Sequence, residues 1–228
     1  MLKIEYLLDE ETWKKLIQLG TLREYTIGDV IFLQEQPSLG LVCLKQGRIK
    51  TCIIFPNGNE KLLTILDAPC ILGEIPIIDG GMNTFSAIAL KPTKIVFISI
   101  EKTQKFLSEN SDLYIVIMKI MAKKMRWMHV QADEMLFCIP RRLAYLLLNY
   151  NDYGILPNKE MDETLIITHD DLASLLGTTR QLITKYLNEF SKLGLIEKER
   201  SHISIKNYEG LKRISDTDLK NKISNLPV

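Results

Sequence analysis

The 228-residue sequence predicts an α+β fold with three successive parts: an N-terminal barrel of the double-stranded β-helix (jelly-roll) type, one long helix and a C-terminal winged helix-turn-helix. Short apolar runs punctuated by glycine extend from about residue 22 to 98, as in small barrels. Residues 112–137 then follow a helical period without glycine or proline, and residues 168–205 contain two short helices and two strands. We therefore expect three regions: 1–110, 111–137 and 138–228.

The composition excludes several classes of protein. Hydrophobic residues make up 46% of the chain, the net charge is +1, and no apolar run approaches the roughly 20 residues of a membrane span. The N-terminal residues lack the basic start and apolar centre of a signal peptide, so we expect a cytoplasmic protein with no membrane partner. The cysteines form no CxxC pair, which argues against a disulfide framework or a metal site: Cys43, Cys52, Cys70 and Cys138.

The first region is predicted to begin with a short helix at about residues 9–19 and to continue as strands. Asn57-Gly58 lies between two apolar runs and is a strong hairpin signal. All three histidines of the chain, His129, His169 and His202, lie outside the barrel region. A metal-binding barrel enzyme that needs histidine ligands is therefore not expected.

The second region is predicted to be a long helix with two apolar faces. One face has an unbroken heptad spacing of 3 and 4, typical of a helix–helix interface, and we call it the methionine seam: Met118, Met121, Met125, Met128, Ala132 and Met135. The other face includes Leu113, Ile117 and Ile120 and is expected to pack on the barrel. We expect the seam to be the interface of a homodimer, although a single buried core helix would give a similar pattern.

The third region carries the pattern of a helix-turn-helix. Thr168 and Asp171 suit a capped helix start, and Gly177 can adopt the positive φ of the turn. The second helix presents polar side chains that can contact base edges and phosphates in a major groove, and a polar wing tip follows it. The predicted DNA-binding residues are Thr178, Thr179, Arg180, Gln181, Thr184, Lys185 and Arg200. Two alternatives remain: such helix pairs also occur in other all-α proteins, and Gln181 can close a capping box with Thr178.

With these motifs the chain resembles the cyclic-AMP receptor/fumarate-nitrate regulator (Crp/Fnr) family of bacterial transcription factors. The resemblance rests on the barrel glycines, on Gly73-Glu74 at the position where effectors are held, and on residues 177–183. It implies a cyclic-nucleotide-binding-like barrel, a homodimer, an inverted-repeat DNA site, contact with RNA polymerase and two recognition helices about 34 Å apart. It also implies that Arg180 contacts a phosphate or guanine, residue 181 a base, and Lys185 a base or phosphate.

Departures from the family pattern restrict the effector. Members that bind cyclic nucleotides have an Arg-Ser pair about ten residues after Gly-Glu, where this chain has Met82-Asn-Thr-Phe-Ser86. No arginine occurs between Arg48 and Arg126, and a buried phosphate without such a partner is costly. The N-terminal cysteine cluster of the oxygen-sensing members is also absent, because the first cysteine is Cys43. Neither cyclic AMP nor an iron–sulfur cluster is expected.

Within this family the chain is similar to halophenol-responsive regulators of reductive dehalogenation, through residues 47–63 and through Lys124, where such regulators place a lysine near the effector's phenolate. A tyrosine one turn earlier in that subgroup is Met121 here. A small aromatic anion between the barrel and the long helix is therefore one expectation, and a solvated Lys124 is the other. The predicted effector-binding residues are Gly73, Glu74, Thr84, Phe85, Met121, Lys124, Trp127 and Met128.

These observations favour an effector-gated, dimeric DNA-binding regulator. A second hypothesis retains DNA binding without a small ligand, either constitutive or controlled by thiol oxidation. An enzyme is disfavoured because the sequence has no nucleophile–base pair, phosphate loop or metal cluster. Where many family members have glutamate, Gln181 offers both a donor and an acceptor, which match the N6 and N7 edge of adenine. We therefore predict a half-site richer in A·T at that base pair.

Overall fold

The computed structural model describes residues 9–155, 157–158, 164–199 and 202–223. It divides into two compact units, Met1–Trp127 and Met128–Val228, and the division falls within the long helix. The helices are α1 (Glu10–Gln18), α2 (Glu74–Asp79), α3 (Ile100–Glu109), α4 (Asp112–Glu134), α5 (Ile139–Leu148), α6 (His169–Leu176), α7 (Arg180–Lys192) and α8 (Tyr208–Ile223). None of the helices within these described ranges is long and apolar enough to cross a membrane.

The strands of the first unit are β1 (Thr21–Tyr25), β2 (Val30–Phe32), β3 (Gly40–Gln46), β4 (Arg48–Ile54), β5 (Glu60–Asp67), β6 (Cys70–Leu72), β7 (Ser86–Ala89) and β8 (Thr93–Ser99). They form two antiparallel four-stranded sheets, in the orders β1-β8-β3-β6 and β2-β7-β4-β5. The predicted hairpin at Asn57-Gly58 joins β4 to β5, with Gly58 at φ +82°. The predicted α+β class with an N-terminal barrel, a long helix and a helix-turn-helix is confirmed.

Two hydrophobic clusters hold the first unit together. The inner cluster lies between the two sheets and contains Leu44, Ile49, Leu72 and Ile95. The outer cluster covers the other face of the β1-β8-β3-β6 sheet with α1, α3 and the first half of α4. Strand β3 contributes to both clusters, because successive side chains point to opposite faces of a strand. Val42 and Leu44 belong to the inner cluster, and Cys43 belongs to the outer one.

The second unit combines helices α5 to α8 with a small sheet. This sheet has the order β11-β12-β10-β9, from β9 (Pro157–Asn158), β10 (Thr164–Ile166), β11 (Ile196–Glu199) and β12 (His202–Ile205). Its core contains fully buried Leu143, Leu147, Leu172 and Leu187. Pro140 lies in the first turn of α5, as expected for a residue that lacks a backbone N–H.

Three local features differ from the sequence-based expectations. The capping box between Thr178 and Gln181 is wrong, because Thr179 is the N-cap of α7 and its side chain accepts a hydrogen bond from the Leu182 N–H. The wing sheet has two more strands, β9 and β10. They are too short to show an alternation of apolar and polar residues in the sequence. A helix after the wing was not predicted, yet α8 extends from Tyr208 to Ile223.

Candidate nucleic-acid interface and effector site

The turn between α6 and α7 is fixed by local hydrogen bonds. The Thr168 side chain accepts from the Asp171 N–H, and the Asp171 carboxylate accepts from the Thr168 N–H, which forms the predicted capping box. Gly177 ends α6 at φ +59°, in the left-handed region that favours glycine. The Arg142 guanidinium donates to the Leu176 carbonyl at 2.5 Å, which satisfies one of the last carbonyls of α6.

Helix α7 buries one face and exposes the other. Ile183, Leu187 and Phe190 are buried in the core of the second unit, as their helical spacing predicts. Of the predicted DNA-binding residues, Thr179, Arg180, Gln181 and Lys185 are exposed, and Thr178 and Thr184 are half-buried. The structure brings these six to the turn and the first two turns of α7. Arg200 lies outside the described residues.

Two basic side chains on this face have acidic neighbours. The Arg180 guanidinium contacts the Asp170 carboxylate at 3.1 Å, with both side chains 66% exposed. Lys185 lies 4.0 Å from the Glu189 carboxylate and 5.3 Å from the Tyr186 ring centroid. Exposed ion pairs of this kind contribute at most about 1 kcal/mol, so a DNA phosphate or base edge can replace the carboxylate at little cost.

His169 also lies at this face, although it was not among the predicted DNA-binding residues. Its Nδ1 lies 2.9 Å from the Thr184 hydroxyl on α7, and its pKa is lowered by burial and by the nearby charges of Lys198 and Arg180. The lowered pKa favours the neutral imidazole, which positions Thr184 without adding charge. The position of His169 directly after the Thr168 cap was the only available signal, since its contact is made across the turn.

In the barrel, Gly73, Glu74, Thr84 and Phe85 line one small cavity of about 10 Å³ together with Phe32, Ile75, Pro76 and Asn83. Gly73 has φ +83°, and a Cβ on it would lie 2.7 Å from the Gly40 carbonyl oxygen. Glycine is therefore required there by both conformation and space. A volume of this size holds about one water molecule, so this cavity by itself does not accommodate a small aromatic molecule.

Glu74 and Lys124 form an ion pair between the barrel and α4. The Lys124 Nζ lies 2.5 Å from the Glu74 Oε1, and the Glu74 side chain is only 1% exposed. The second oxygen, Oε2, is buried and has no hydrogen-bond partner among the described residues. Lys124 is thus already paired with a carboxylate, and a phenolate would have to compete with Glu74 for it.

The other predicted effector residues lie elsewhere on α4. Met121 packs on the outer cluster, Trp127 is half-buried and Met128 is exposed. The structure therefore brings Lys124 to the Gly73-Glu74 pair, while α4 contributes no residue to the wall of the small cavity. Within the described ranges, no three His, Cys, Asp or Glu side chains are arranged to hold a metal ion.

A larger cavity of about 90 Å³ is formed by the same barrel and opens to solvent, since Arg23, Gln36 and Leu39 on its wall are exposed. Most of its wall comes from β1, β2, β3, β8 and the segment between β2 and β3, and Gly73 and Asn83 complete it. The lining residues are Arg23, Tyr25, Ile31, Phe32, Gln36, Pro37, Ser38, Leu39, Gly40, Val42, Gly73, Asn83, Ile95 and Phe97. Only Gly73 belongs to the predicted effector set. The sequence did not reveal the cavity, because its walls meet only when β1 pairs with β8 and β8 with β3.

The methionine seam is largely exposed in the single chain. Met118, Met125, Met128 and Met135 are 54–66% exposed, and Ala132 is also exposed, whereas Met121 is half-buried. Large apolar side chains repeated along one helix face rarely remain in contact with water. On the opposite face, Leu113, Ile117 and Ile120 are buried in the first unit, as their spacing predicts.

A jelly-roll barrel followed by a long helix and a DNA-reading helix-turn-helix defines a class of bacterial transcription regulator. The cyclic nucleotide-binding domain family matches residues 22–110, and the Crp-like helix-turn-helix domain family matches residues 141–214. Together they cover more than two thirds of the chain. The protein belongs to the Crp/Fnr family of DNA-binding transcription regulators.

Individual relatives are distant. The CRP-like cAMP-activated global transcriptional regulator of Mycobacterium tuberculosis is 24% identical over 192 residues, covering 83% of this chain and 86% of its own length. The c-di-GMP responsive global regulator CLP of Xanthomonas campestris matches with a TM-score of 0.75 and 15% identity over 86% of this chain and 99% of its own. OCPA-complexed CprK matches with a TM-score of 0.70 and 21% identity over 92% and 95% of the two chains. These structural similarities establish the fold alone and single out no subgroup.

Proposed function

We propose that the protein acts as a homodimer on an inverted-repeat DNA site and that a small molecule other than cyclic AMP, bound in the barrel, controls its DNA affinity. The exposed face of α7 carries this proposal, since it presents Arg180, Gln181 and Lys185 beside a rigidly capped turn. The exposed methionine seam supports a symmetric pair of such helices. The chain's net charge of +1 leaves little general attraction to DNA, so affinity depends on these few contacts.

The Arg180→Gln variant is expected to bind the operator about 10- to 100-fold more weakly, because an arginine contact to guanine or phosphate is worth roughly 1–3 kcal/mol. The Asp170→Asn variant should bind about two- to fivefold more tightly, since it removes the carboxylate that pairs with Arg180. Fluorescence anisotropy measures both on a DNA fragment selected by the wild-type protein from a random library.

Lys192→Gln is the matched control, because it removes one positive charge from the last turn of the same helix. It is expected to leave the affinity within about twofold. If Lys192→Gln weakens binding as much as Arg180→Gln does, Arg180 contributes only general charge, and its role as a specific contact is excluded.

Gln181 is expected to set one base of the half-site. Its amide can both donate to and accept from adenine, whereas the carboxylate of a Gln181→Glu variant can only accept, as cytosine N4 requires. Selection from a random library should therefore move that base pair from A·T to G·C in the variant. Identical half-sites for the two proteins would show that residue 181 does not read this base.

The effector is proposed to act through the barrel and α4. A ligand can shift the equilibrium between two arrangements of the dimer only by binding one of them more tightly. The Glu74–Lys124 ion pair is one described contact by which a change near Gly73 reaches the long helix. Similarity to the halophenol-responsive subgroup makes a chlorinated phenol one candidate ligand, but its phenolate would have to displace Glu74 from Lys124.

Thiol control is the second candidate function, and one observation favours it: Cys138 is exposed and directly precedes α5. The other three thiols are buried, and burial raises the pKa of Cys43 and Cys52, so these thiols react slowly. If peroxide changes the operator affinity of the wild-type protein but not of Cys138→Ser, thiol control is supported. Equal responses of the two proteins exclude Cys138 as the sensor.

A further inference from the structure

We propose that the barrel cavity of about 90 Å³ is a binding site for a short-chain monocarboxylate and that Arg23 binds its carboxylate. The site is separate from the predicted positions on α4, which contribute nothing to its walls. Its regulatory role rests on the proposed function, whereas binding itself does not.

Arg23 is held in position to bind an anion. Its guanidinium carbon lies 4.7 Å from the centroid of the Phe97 ring, and the stacking fixes the direction of the side chain. Within the described part of the chain, Arg23 forms no ion pair, since its neighbour Glu24 lies on the other side of β1 and pairs with Lys94 at 2.8 Å. An exposed guanidinium beside an open cavity, with its charge uncompensated, favours a carboxylate.

Besides Arg23, the cavity lining contains both polar and apolar residues. The lining also includes the polar residues Tyr25, Gln36 and Ser38, of which Ser38 already bonds the Gly40 backbone through its hydroxyl. The remaining surface consists largely of aliphatic and aromatic side chains from the inner faces of both sheets: Ile31, Phe32, Val42, Ile95 and Phe97. This arrangement suits a ligand with one charged end and a short hydrocarbon tail.

The volume limits the length of that tail. A protein cavity of about 150 Å³ holds one benzene molecule, which has six non-hydrogen atoms, so about 90 Å³ accommodates roughly four non-hydrogen atoms. The hydrocarbon tail of propionate or butyrate fits this limit when the carboxylate lies at the open side beside the exposed Arg23, whereas the ring and chlorine of a chlorinated phenol exceed it. The size and charge of the site therefore favour a small aliphatic acid over an aromatic one.

The segment between β2 and β3, which forms part of the wall, is held by Asn83. The Asn83 side-chain amide donates to the Leu33 carbonyl at 3.1 Å, and its backbone N–H donates to the Gln36 carbonyl at 3.0 Å. Within this segment Glu35 adopts φ +59°, a conformation that costs a non-glycine residue about 1 kcal/mol or more. Strain of this kind persists only where the surrounding structure imposes it, and it is frequent at binding sites.

The cavity also adjoins the contact with the long helix. Gly73 and Asn83 line both this cavity and the small one next to Glu74. Because Glu74 follows Gly73 directly and pairs with Lys124, a ligand that shifts Gly73 changes the geometry of the ion pair to α4. The site thus has a direct structural connection to the helix that carries the methionine seam.

Titration of the full-length protein with sodium propionate, followed by saturation-transfer NMR in a carboxylate-free buffer, tests the site. The expected dissociation constant is in about the millimolar range, as the few ligand atoms allow. Propionamide, its neutral analogue, should bind at least about tenfold more weakly, because it lacks the charge that Arg23 recognises. Arg23→Gln should weaken propionate binding by a similar factor, and Lys94→Gln, on the opposite face of the same sheet, should not.

Absence of propionate binding by the wild-type protein, or equal affinity in wild type and Arg23→Gln, would overturn the site. Operator affinity is then measured with and without propionate. If propionate changes the operator affinity of the wild-type protein but not that of Arg23→Gln, a regulatory role is supported. If propionate binds without any change in operator affinity, the regulatory role is excluded and the binding site is retained. Failure of the proposed function is recognised separately, by a wild-type protein that selects no operator at all.

Discussion

Replacement of Lys124 by methionine is expected to lower the free energy of unfolding of the barrel unit by about 3–5 kcal/mol. The reason is the carboxylate left behind: Glu74 is 1% exposed, one of its oxygens already has no hydrogen-bond partner among the described residues, and the other loses the Lys124 ammonium. Methionine preserves most of the side-chain length, so the loss is electrostatic rather than a loss of packing. Urea unfolding followed by tryptophan fluorescence measures it, since both tryptophans, Trp13 and Trp127, belong to the barrel unit.

A double-mutant cycle separates the energy of the Glu74–Lys124 ion pair from the effects of the two single substitutions. Glu74→Gln combined with Lys124→Met should be less destabilised than Lys124→Met alone, because the double variant no longer buries a charge. Lys123→Met is the matched control: it removes a lysine from the adjacent position of α4 and should change stability by at most about 0.5 kcal/mol. If Lys123→Met and Lys124→Met are equally destabilised, Lys124 is a solvated residue, and the ion pair does not link Glu74 to α4.

The helix-turn-helix could be predicted from sequence because its determinants are local. The Thr168 capping box, the positive φ of Gly177 and the spacing of the buried residues of α7 all lie within about twenty consecutive residues. One local ambiguity remained open: Thr178 and Thr179 can both cap a helix, and the structure has Thr179 as the N-cap of α7. His169 was missed because its contact with Thr184 depends on the angle between two helices.

The sequence predicts the barrel fold, but it does not predict which residues meet in the barrel. Glu74 and Lys124 are separated by 50 residues, and a lone lysine on a helix gives no sign of its partner. Arg23 meets Phe97 only through the pairing of β1 with β8, since the register places Arg23 opposite Ile95. A shift of that register by one residue would turn Arg23 to the other face of the sheet and remove it from the cavity.

The Met125→Glu variant is expected to weaken the proposed homodimer by at least about 100-fold, because two like charges would meet in a desolvated helix–helix contact. Met125 is 60% exposed in the single chain, so the substitution should leave the fold of each subunit intact. Sedimentation velocity measures the dimer's dissociation constant, and circular dichroism checks the fold. Operator binding should fall steeply as well, because a monomer reaches only one half-site and loses the effective concentration that couples the second.

Lys119→Gln is the matched control for this prediction, since it lowers the net charge by the same one unit on an exposed position of α4 outside the methionine seam. It should leave the dimer and operator binding within about twofold of wild type. A Met125→Glu protein that remains dimeric at wild-type strength would show that the seam is not the interface. The exposed methionines would then need another partner, and the two recognition helices another means of reaching adjacent major grooves.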